Sequence, residues 1–358
     1  MIAGFMKNRL PFKSAPNALC ILRLSAVGDI SHTLPVVRTI QQVWPTTRLY
    51  WIIGKLEHEL VRDIEGIEFL VFDKRQGLSA YRDLQRQLSS LQFDALLHMQ
   101  MSLRASLIAM MVNAPIKLGF DRQRAKDMQW LFSNHKIAFQ PHQHVIDSFF
   151  GFSQALGIQE KHYQWGIPIP ESDRQFANQQ INSDKPILVI SPCSSMAYRN
   201  WTVEGYAHVA DYATRTHNMQ VVLTGGPSRI EQDYAGQICA TAESDIIDLI
   251  GKTSLKQLVA VLEKAHVVIA PDAGPAHLAN AMGTPVIGLY ATTNPDRARP
   301  YLSAEYVINK YPQAVEDHYH KPVSAVKWGA RVRTPGTMER ISVDEVMAML
   351  DKVIRTRS

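Results

Sequence analysis

Val267-Val268-Ile269-Ala270-Pro271-Asp272-Ala273-Gly274-Pro275-Ala276-His277-Leu278 passes from four apolar residues, through small ones, into a stretch with helical spacing. It reads as the end of a buried strand, a tight turn and a helix start near Gly274. Small side chains there let backbone N–H groups approach a ligand, and the helix dipole favours an anion. His277 falls one turn into the helix, where its ring can donate to a phosphate oxygen. The plainer alternative is a helix capped by Asp272 with His277 packed in the core.

The same strand-then-helix alternation extends in both directions. Before it stand Ile187–Ile190, Gln220–Leu223 and Ile246–Leu249 as strands, with helices at Thr202–Arg215, Ser228–Ala240 and Ser254–Lys264. After it come the strand Val286–Tyr290 and a closing helix at Ser342–Ile354. Further upstream a second set appears. Strands are predicted at Leu19–Leu24, Arg48–Ile53, Ile67–Phe72, Ala95–Leu97 and Lys117–Phe120. Helices are predicted at Ile30–Val43, residues 56–64, Leu78–Leu91 and Ser102–Val112, with Pro35 in the first turn of its helix. Alternating βα units imply an α/β fold with parallel sheets covered on both faces. The polar, proline-flanked span Pro168–Pro186 reads as containing the linker between two domains, the default number for 358 residues. In such sheets ligands sit beyond the carboxyl ends of the strands.

The composition is that of a globular protein, with 46% apolar and 20% charged residues. The net charge of +5 is uneven: residues 1–150 hold 18 Lys and Arg against 12 Asp and Glu, and the rest hold 20 against 21. A basic first half suggests an anionic partner on that side. The three cysteines, Cys20, Cys193 and Cys239, are odd in number and lack CxxC spacing, which argues against a disulfide framework or zinc site. The first 18 residues, MIAGFMKNRLPFKSAPNA, lack the apolar core of a signal peptide. No run reaches a membrane-spanning length. This basic, partly apolar segment reads as an N-terminal extension over residues 1–17, either a disordered lead-in or a contact for a membrane surface.

Three further constellations follow strand ends. In Ser25-Ala26-Val27-Gly28-Asp29-Ile30-Ser31-His32-Thr33-Leu34-Pro35, Asp29 is either a helix cap or a general base. In Ser191–Trp201, Ser194 and Ser195 offer hydroxyls and Arg199 a fork for a diphosphate, unless it is a surface arginine. After Thr224-Gly225-Gly226-Pro227, Glu231 can accept from ribose hydroxyls, or is an exposed helix glutamate. Neither a three-glycine dinucleotide fingerprint nor a P-loop occurs, and no Asp-x-Asp stands near a strand end. Neither a cofactor nor a metal is therefore expected, and leaving-group charge would fall to Arg, backbone N–H groups and a helix dipole.

Taken together, these residues resemble glycosyltransferase family 9, the ADP-heptose:lipopolysaccharide heptosyltransferases. Gly28-Asp29-x-x-His32-Thr33-Leu34-Pro35 is similar to the family's GDxxHTLP element. Asp272-x-Gly274-x-x-His277-Leu278-Ala279-x-Ala281-x-Gly283 is similar to DTGxxHLAAALG, and Thr284–Tyr290 continues in the family's manner. The resemblance covers about residues 18–350. It implies a GT-B fold of two facing Rossmann-like domains, residues 18–170 for the acceptor and 171–358 for the nucleotide sugar. It implies an inverting, metal-independent transfer with Asp29 as the base, and Gly28 and His32 beside it on the acceptor side. Ser194, Ser195, Arg199, Asp272, Ala273, Gly274 and His277 would hold the donor diphosphate, and Glu231 the ribose. Departures are Ala273 where the family has Thr, Arg199 where it commonly has Lys, and Ala291-Thr292-Thr293-Asn294-Pro295 in place of GPTDP.

The implied partners are an ADP-heptose donor and a Kdo-lipid A or heptosylated core acceptor at the cytoplasmic face of the inner membrane, with no role for nucleic acid. Arg122, Arg124 and Lys126 fall where the family holds its acidic acceptor, although a solvated loop would read the same way. Two competing readings remain open. One is a GT-B enzyme that uses another nucleotide sugar for O-antigen or capsule. The other is a non-catalytic nucleotide-binding scaffold, against which the intact Asp29, Asp272, Gly274 and His277 argue.

Overall fold

Strands Ile67–Phe72, Ile187–Ile190, Gln220–Leu223 and Val286–Tyr290 form with the bounds that the sequence predicts. They are short apolar runs that need burial on both faces, which a parallel sheet between helix layers supplies. The computed structural model describes residues 9–357. Residues 1–8 of the expected extension, and any membrane contact they make, lie outside the described residues. From Arg9 onward the extension rests on the first domain: the Phe12 N–H donates to Leu156 O at 2.9 Å, and its ring meets Trp44 edge-on.

The chain divides into two compact units, Met1–Pro168 and Ile169–Ser358. The first runs β1 (Ala18–Leu22), α1 (Val27–Val43), β2 (Arg48–Gly54), α2 (Lys55–Val61), β3 (Ile67–Phe72), α3 (Leu78–Leu88), β4 (Ala95–His98), α4 (Leu103–Met111), β5 (Ile116–Gly119), β6 (His135–Lys136) and α5 (Val145–Leu156). The second runs α6 (Glu171–Gln180), β7 (Ile187–Ile190), α7 (Val203–His217), β8 (Gln220–Leu223), α8 (Arg229–Thr241), β9 (Ile246–Asp248), α9 (Leu255–Lys264), β10 (Val267–Pro271), α10 (Gly274–Ala281), β11 (Val286–Tyr290), α11 (Pro295–Ala298), β12 (Val307–Asn309), α12 (Tyr311–Tyr319) and α13 (Val343–Arg357).

Both sheets are parallel and six-stranded. Their orders are β3-β2-β1-β4-β5-β6 and β12-β11-β10-β7-β8-β9, which is the same winding twice. Each reverses direction between its first and fourth strands: β1 beside β4, with Cys20 opposite Leu96, and β7 beside β10, with Val189 opposite Val268. Such a switch point leaves a crevice at the carboxyl ends, where doubly wound sheets bind ligands. The two Rossmann-like sheets give the GT-B class. The closing helix α13 belongs to the second core, with Val346, Leu350 and Val353 buried and Trp201 donating to Ile341 O at 2.9 Å.

Three expectations change. Helix α1 starts at Val27, so Pro35 lies in its interior and removes one ladder donor rather than sitting harmlessly in the first turn. The boundary between the units, Pro168 to Ile169, falls in the span Pro168–Pro186, but that span is not all linker. It carries α6, which packs on α9 and ties to it through Arg174 and Glu263 at 2.8 and 3.0 Å. Val286–Tyr290 is followed by a further strand, β12, which pairs with it through three residues.

Candidate functional site

In the first unit, the turn after β1 is tied to the end of β4. Gln100 Oε1 accepts from the N–H groups of Leu24 (2.6 Å) and Ser25 (3.3 Å), and its Nε2 donates to Ser25 Oγ at 3.3 Å. Arg23 is buried, donates from Nη1 to Met99 O at 2.6 Å and lies 5.3 Å from the Phe149 ring. Its other terminal nitrogen forms an ion pair with Asp29.

Asp29 is not the cap of α1. Ala26 holds that position, and Asp29 sits a turn later, accepting a long 3.4 Å bond from the Ala26 N–H. Both contacts fall on Oδ2, and the side chain keeps 40% exposure. They hold the carboxylate through that one oxygen and leave Oδ1 without either of them. Gly28 lies in the same turn, its carbonyl accepting from Ser31 Oγ at 2.7 Å.

Two residues expected on the acceptor side are engaged elsewhere. His32 turns inward, buried against the edge of His144 at 5.9 Å between ring centroids. Arg124 is used within its own loop: it pairs with Asp121, donates to Gln143 (3.1 Å), Ser148 (2.8 Å) and the Ala138 carbonyl (2.7 Å), and covers Phe139. A guanidinium with this many bonds holds the loop in place. Arg122 and Lys126 stay exposed.

In the second unit, the switch point brings the Ser191–Trp201 segment to the start of α10. Arg199 Nη1 donates to the Asp272 carbonyl at 3.1 Å and pairs with its carboxylate at 3.3 Å. His277 Nε2 stands 3.7 Å from the other carboxylate oxygen. Burial alone would raise the Asp272 carboxyl, but His277 and Arg199 overcome this and hold it below the usual carboxylate range. Asp272 thus aims two cationic or polar groups instead of capping the helix. Ala273 is the N-cap, its side chain makes no cap bond, and Pro275 stands in the first turn, so the helix start has no side-chain cap from that residue.

Ser195 is exposed. Ser194 accepts from the Met196 N–H at 3.1 Å and shapes its own turn. Glu231 accepts from the Gly226 N–H (2.8 Å) and Ser228 Oγ (2.6 Å), so it holds the glycine turn, and only its remaining lone pairs can serve a ligand. Beneath this turn, burial, with Glu231 nearby, pushes the Cys193 thiol up to about 12.

Sequence reading missed Tyr198, Arg331 and Arg333. The alternation in Ala330-Arg331-Val332-Arg333 was the available signal. Arg331 bridges antiparallel to Thr293, Val332 is buried, and the two arginines point out. Arg333 and Arg199 lie 5.8 and 5.7 Å from the Tyr198 ring. Burial would raise the Tyr198 phenol, yet the charges of Arg199, Arg331 and Arg333 bring it below its ordinary value. Three guanidinium groups thus act on Tyr198, and one of them, Arg199, also pairs with the buried Asp272 carboxylate. Among the described residues no group of three or more His, Cys, Asp or Glu converges as a metal site, and no helix is long and apolar enough to cross a membrane.

The chain is similar to known proteins along nearly its whole length. The family model described as "Glycosyltransferase family 9 (heptosyltransferase)" matches residues 81–326. The lipopolysaccharide core heptosyltransferase OpsX of Haemophilus influenzae is 40% identical over 342 residues, 96% of this chain and 98% of that protein. Among solved structures, a family 9 glycosyltransferase from Veillonella parvula superposes with a TM-score of 0.80 at 20% identity, covering 97% of this chain and 99% of that one. Escherichia coli heptosyltransferase WaaC with ADP gives 0.71 at 18% identity, covering 94% and 99%.

Proposed function

This chain belongs to glycosyltransferase family 9, and we propose that, as one of its heptosyltransferases, it moves heptose from ADP-L-glycero-D-manno-heptose to the inner core of lipopolysaccharide. One observation supports the division of labour. Each switch point holds an arginine–aspartate pair, half-exposed and held through one oxygen at Asp29, and buried at Asp272, before a helix whose N-cap residue makes no cap bond.

In this reading the second unit binds the donor. The N–H groups at the start of α10, with Arg199 and His277, take the diphosphate. Ser194 and Ser195 border it, Glu231 meets the ribose, and Arg331 and Arg333 share the phosphate charge. The first unit binds the acceptor, with Arg122 and Lys126 facing its anionic groups. The acceptor hydroxyl oxygen attacks the anomeric carbon and its proton passes to Asp29 Oδ1. The bond to the distal phosphate oxygen breaks, and its electron pair leaves with ADP. A single displacement inverts the anomeric centre. The phosphate charge is met by the protein's own donors, so a metal ion is not required. The acceptor is lipid-borne, which puts the enzyme at the cytoplasmic face of the inner membrane.

The test is an intact-mass assay with ADP-heptose and a set of truncated cores, with and without EDTA. Gain of one heptose on a Kdo-bearing core, unaffected by EDTA, is expected. ADP release with no acceptor gain, or preference for a UDP- or GDP-sugar, overturns the reading.

A further inference from the structure

The loop after β5, whose Arg122 and Lys126 are given above to an anionic acceptor, also carries apolar side chains that the transfer chemistry does not use. Gln129 is fully buried: its Nε2 donates to the carbonyls of His98 (2.8 Å) and Gln100 (3.2 Å), and its Oε1 accepts from the Phe120 N–H at 3.2 Å. This anchor fixes a single turn, Gln129–Leu131, to the strand ends, while its neighbours face outward. Met128 is 57% exposed, Trp130 36% and Leu131 58%. Large apolar side chains are seldom grouped on a surface without a partner. The backbone here adopts left-handed conformations at two successive non-glycine residues, Asp127 and Met128, with φ of 49° and 54°. Bulky residues hold such conformations only where surrounding structure imposes them, and they cluster at functional turns.

Two features say what covers this turn. Gln100, which Gln129 holds, lies just before α4, whose outward stripe is Leu103, Leu107 and Met110, all exposed, with Arg104 beside them and no acid along the helix. A second set of exposed apolar side chains thus begins three residues after the Gln100 carbonyl that Gln129 holds. The rim of the turn is basic. Arg122 lies 5.0 Å from the Trp130 ring, and Lys126 is exposed nearby. Of the loop's acids, Asp121 is buried against Arg124, which leaves Asp127 facing solvent. An indole flanked by cations, beside methionine and leucine, matches the boundary between lipid headgroups and acyl chains. Two copies meeting through this face would oppose like charges, whereas an anionic bilayer neutralises them.

We propose that the Met128–Leu131 turn, with the outward stripe of α4, docks the protein on an anionic phospholipid surface. The apolar side chains enter the interface, and Arg122 and Lys126 meet the headgroup phosphates. This deepens the proposed function, because a lipid-borne acceptor must be met at a bilayer.

Sedimentation with vesicles tests it. The full chain is expected to bind phosphatidylglycerol–phosphatidylethanolamine vesicles, to release them as salt rises, and to ignore phosphatidylcholine. Brominated lipids should quench its tryptophan emission, and Trp130→Phe should remove that quenching. The double variant Met128→Ser/Leu131→Ser should bind vesicles at least about tenfold more weakly, since each side chain loses a transfer free energy on the kcal/mol scale. Its turnover on a delipidated, water-soluble core and its ADP affinity should stay at wild-type values. Vesicle binding equal to wild type in that variant overturns the proposal. So does a wild-type dimer that the variant converts to monomer, which would make the face a contact between copies. Failure of the wild type on the soluble core would count against the proposed transfer while leaving vesicle binding as a separate result.

Discussion

The two units share one winding and differ in what they do with an aspartate at the switch point. In the first, Asp29 rides on the helix that follows β1, is gripped by Arg23 through one oxygen, and keeps 40% exposure. In the second, Asp272 follows β10, is 15% exposed, and is flanked by Arg199 and His277. Identical topology therefore leaves the two aspartates in different surroundings, set by exposure and by their partners. On the proposed function, the half-open carboxylate takes up the acceptor's proton, whereas the enclosed and doubly paired one aims its partners.

The strongest way to break this comparison is to neutralise each aspartate in turn. Asp29→Asn should lower kcat by at least about 100-fold, the usual weight of a general base, while ADP binding measured by calorimetry stays unchanged. Asp272→Asn should show the opposite pattern: weaker ADP binding and a loss of stability of about 3 kcal/mol, because Arg199 is left without its charge partner in a desolvated place. If both variants lose donor affinity equally, or Asp29→Asn turns over normally, the division of labour fails.

A second contrast lies in pH. His98 ends β4 and is fully buried. Burial pushes it down to about 4, with the Gln100 backbone opposing and Lys117 acting in the same direction as burial. Its folded value lies below its unfolded one, so the unfolded chain takes up a proton first as the medium is acidified. The first unit should thus lose about 3 kcal/mol as pH falls from about 6.5 to about 4, and hold it above that window. Asp272 is depressed as well, but a depressed carboxyl costs stability only when pH falls below the ordinary carboxylate value. Urea unfolding at pH 7 and pH 5 checks this, since His98→Gln should flatten the slope between them. An unaltered slope would mean that other groups govern acid stability.

Much of the architecture was legible because buried parallel strands are written as short apolar runs. The remainder escaped for physical reasons. Strand β6 has two residues and β12 three, too few to show a period. Helix α6 was hidden by its polarity: Glu171–Gln180 buries only Ala177, and its ties to α9, the Arg174–Glu263 pair and the Lys264–Asn178 bond, are announced by no local pattern. Within the site, each aspartate's spacing fitted both a cap and a functional group. The N-caps are alanines, Ala26 and Ala273, yet Asp29 still meets the Ala26 N–H from the first turn, so at α1 a capping contact and an exposed carboxylate coexist. Arg331 and Arg333 stand far along the chain from Asp272 and reach Tyr198 through the Thr293–Arg331 bridge. Replacing both with Gln should weaken ADP binding by about tenfold, with a shallower salt dependence, because two exposed charges screened by water each contribute on the order of 0.7 kcal/mol to a phosphate contact. Unchanged ADP affinity would confine the donor charge to Arg199 and the helix start.

The smallest expected effect concerns Ala273, and it sharpens the comparison most finely. Neither α1 nor α10 has a side-chain cap bond from its N-cap residue, and both N-caps are alanine. At α1 the N–H of the cap residue itself meets Asp29, so the helix start is closed by its own first turn. At α10 no carboxylate takes that place, and Pro275 contributes no N–H. Ala273→Thr would put a hydroxyl where it can accept from Ala276, with the extended backbone (φ −146°, ψ 162°) already suited to a threonine cap. The free protein should gain about 1 kcal/mol in urea unfolding. ADP affinity should move by less than about threefold, because the hydroxyl occupies one donor and offers another in exchange. A gain in stability with a tenfold loss of ADP affinity would show that the phosphate uses the Ala276 N–H in a geometry the hydroxyl cannot replace. No gain in stability would show that this N–H is already satisfied without ligand, and α10 would then be closed in the same sense as α1.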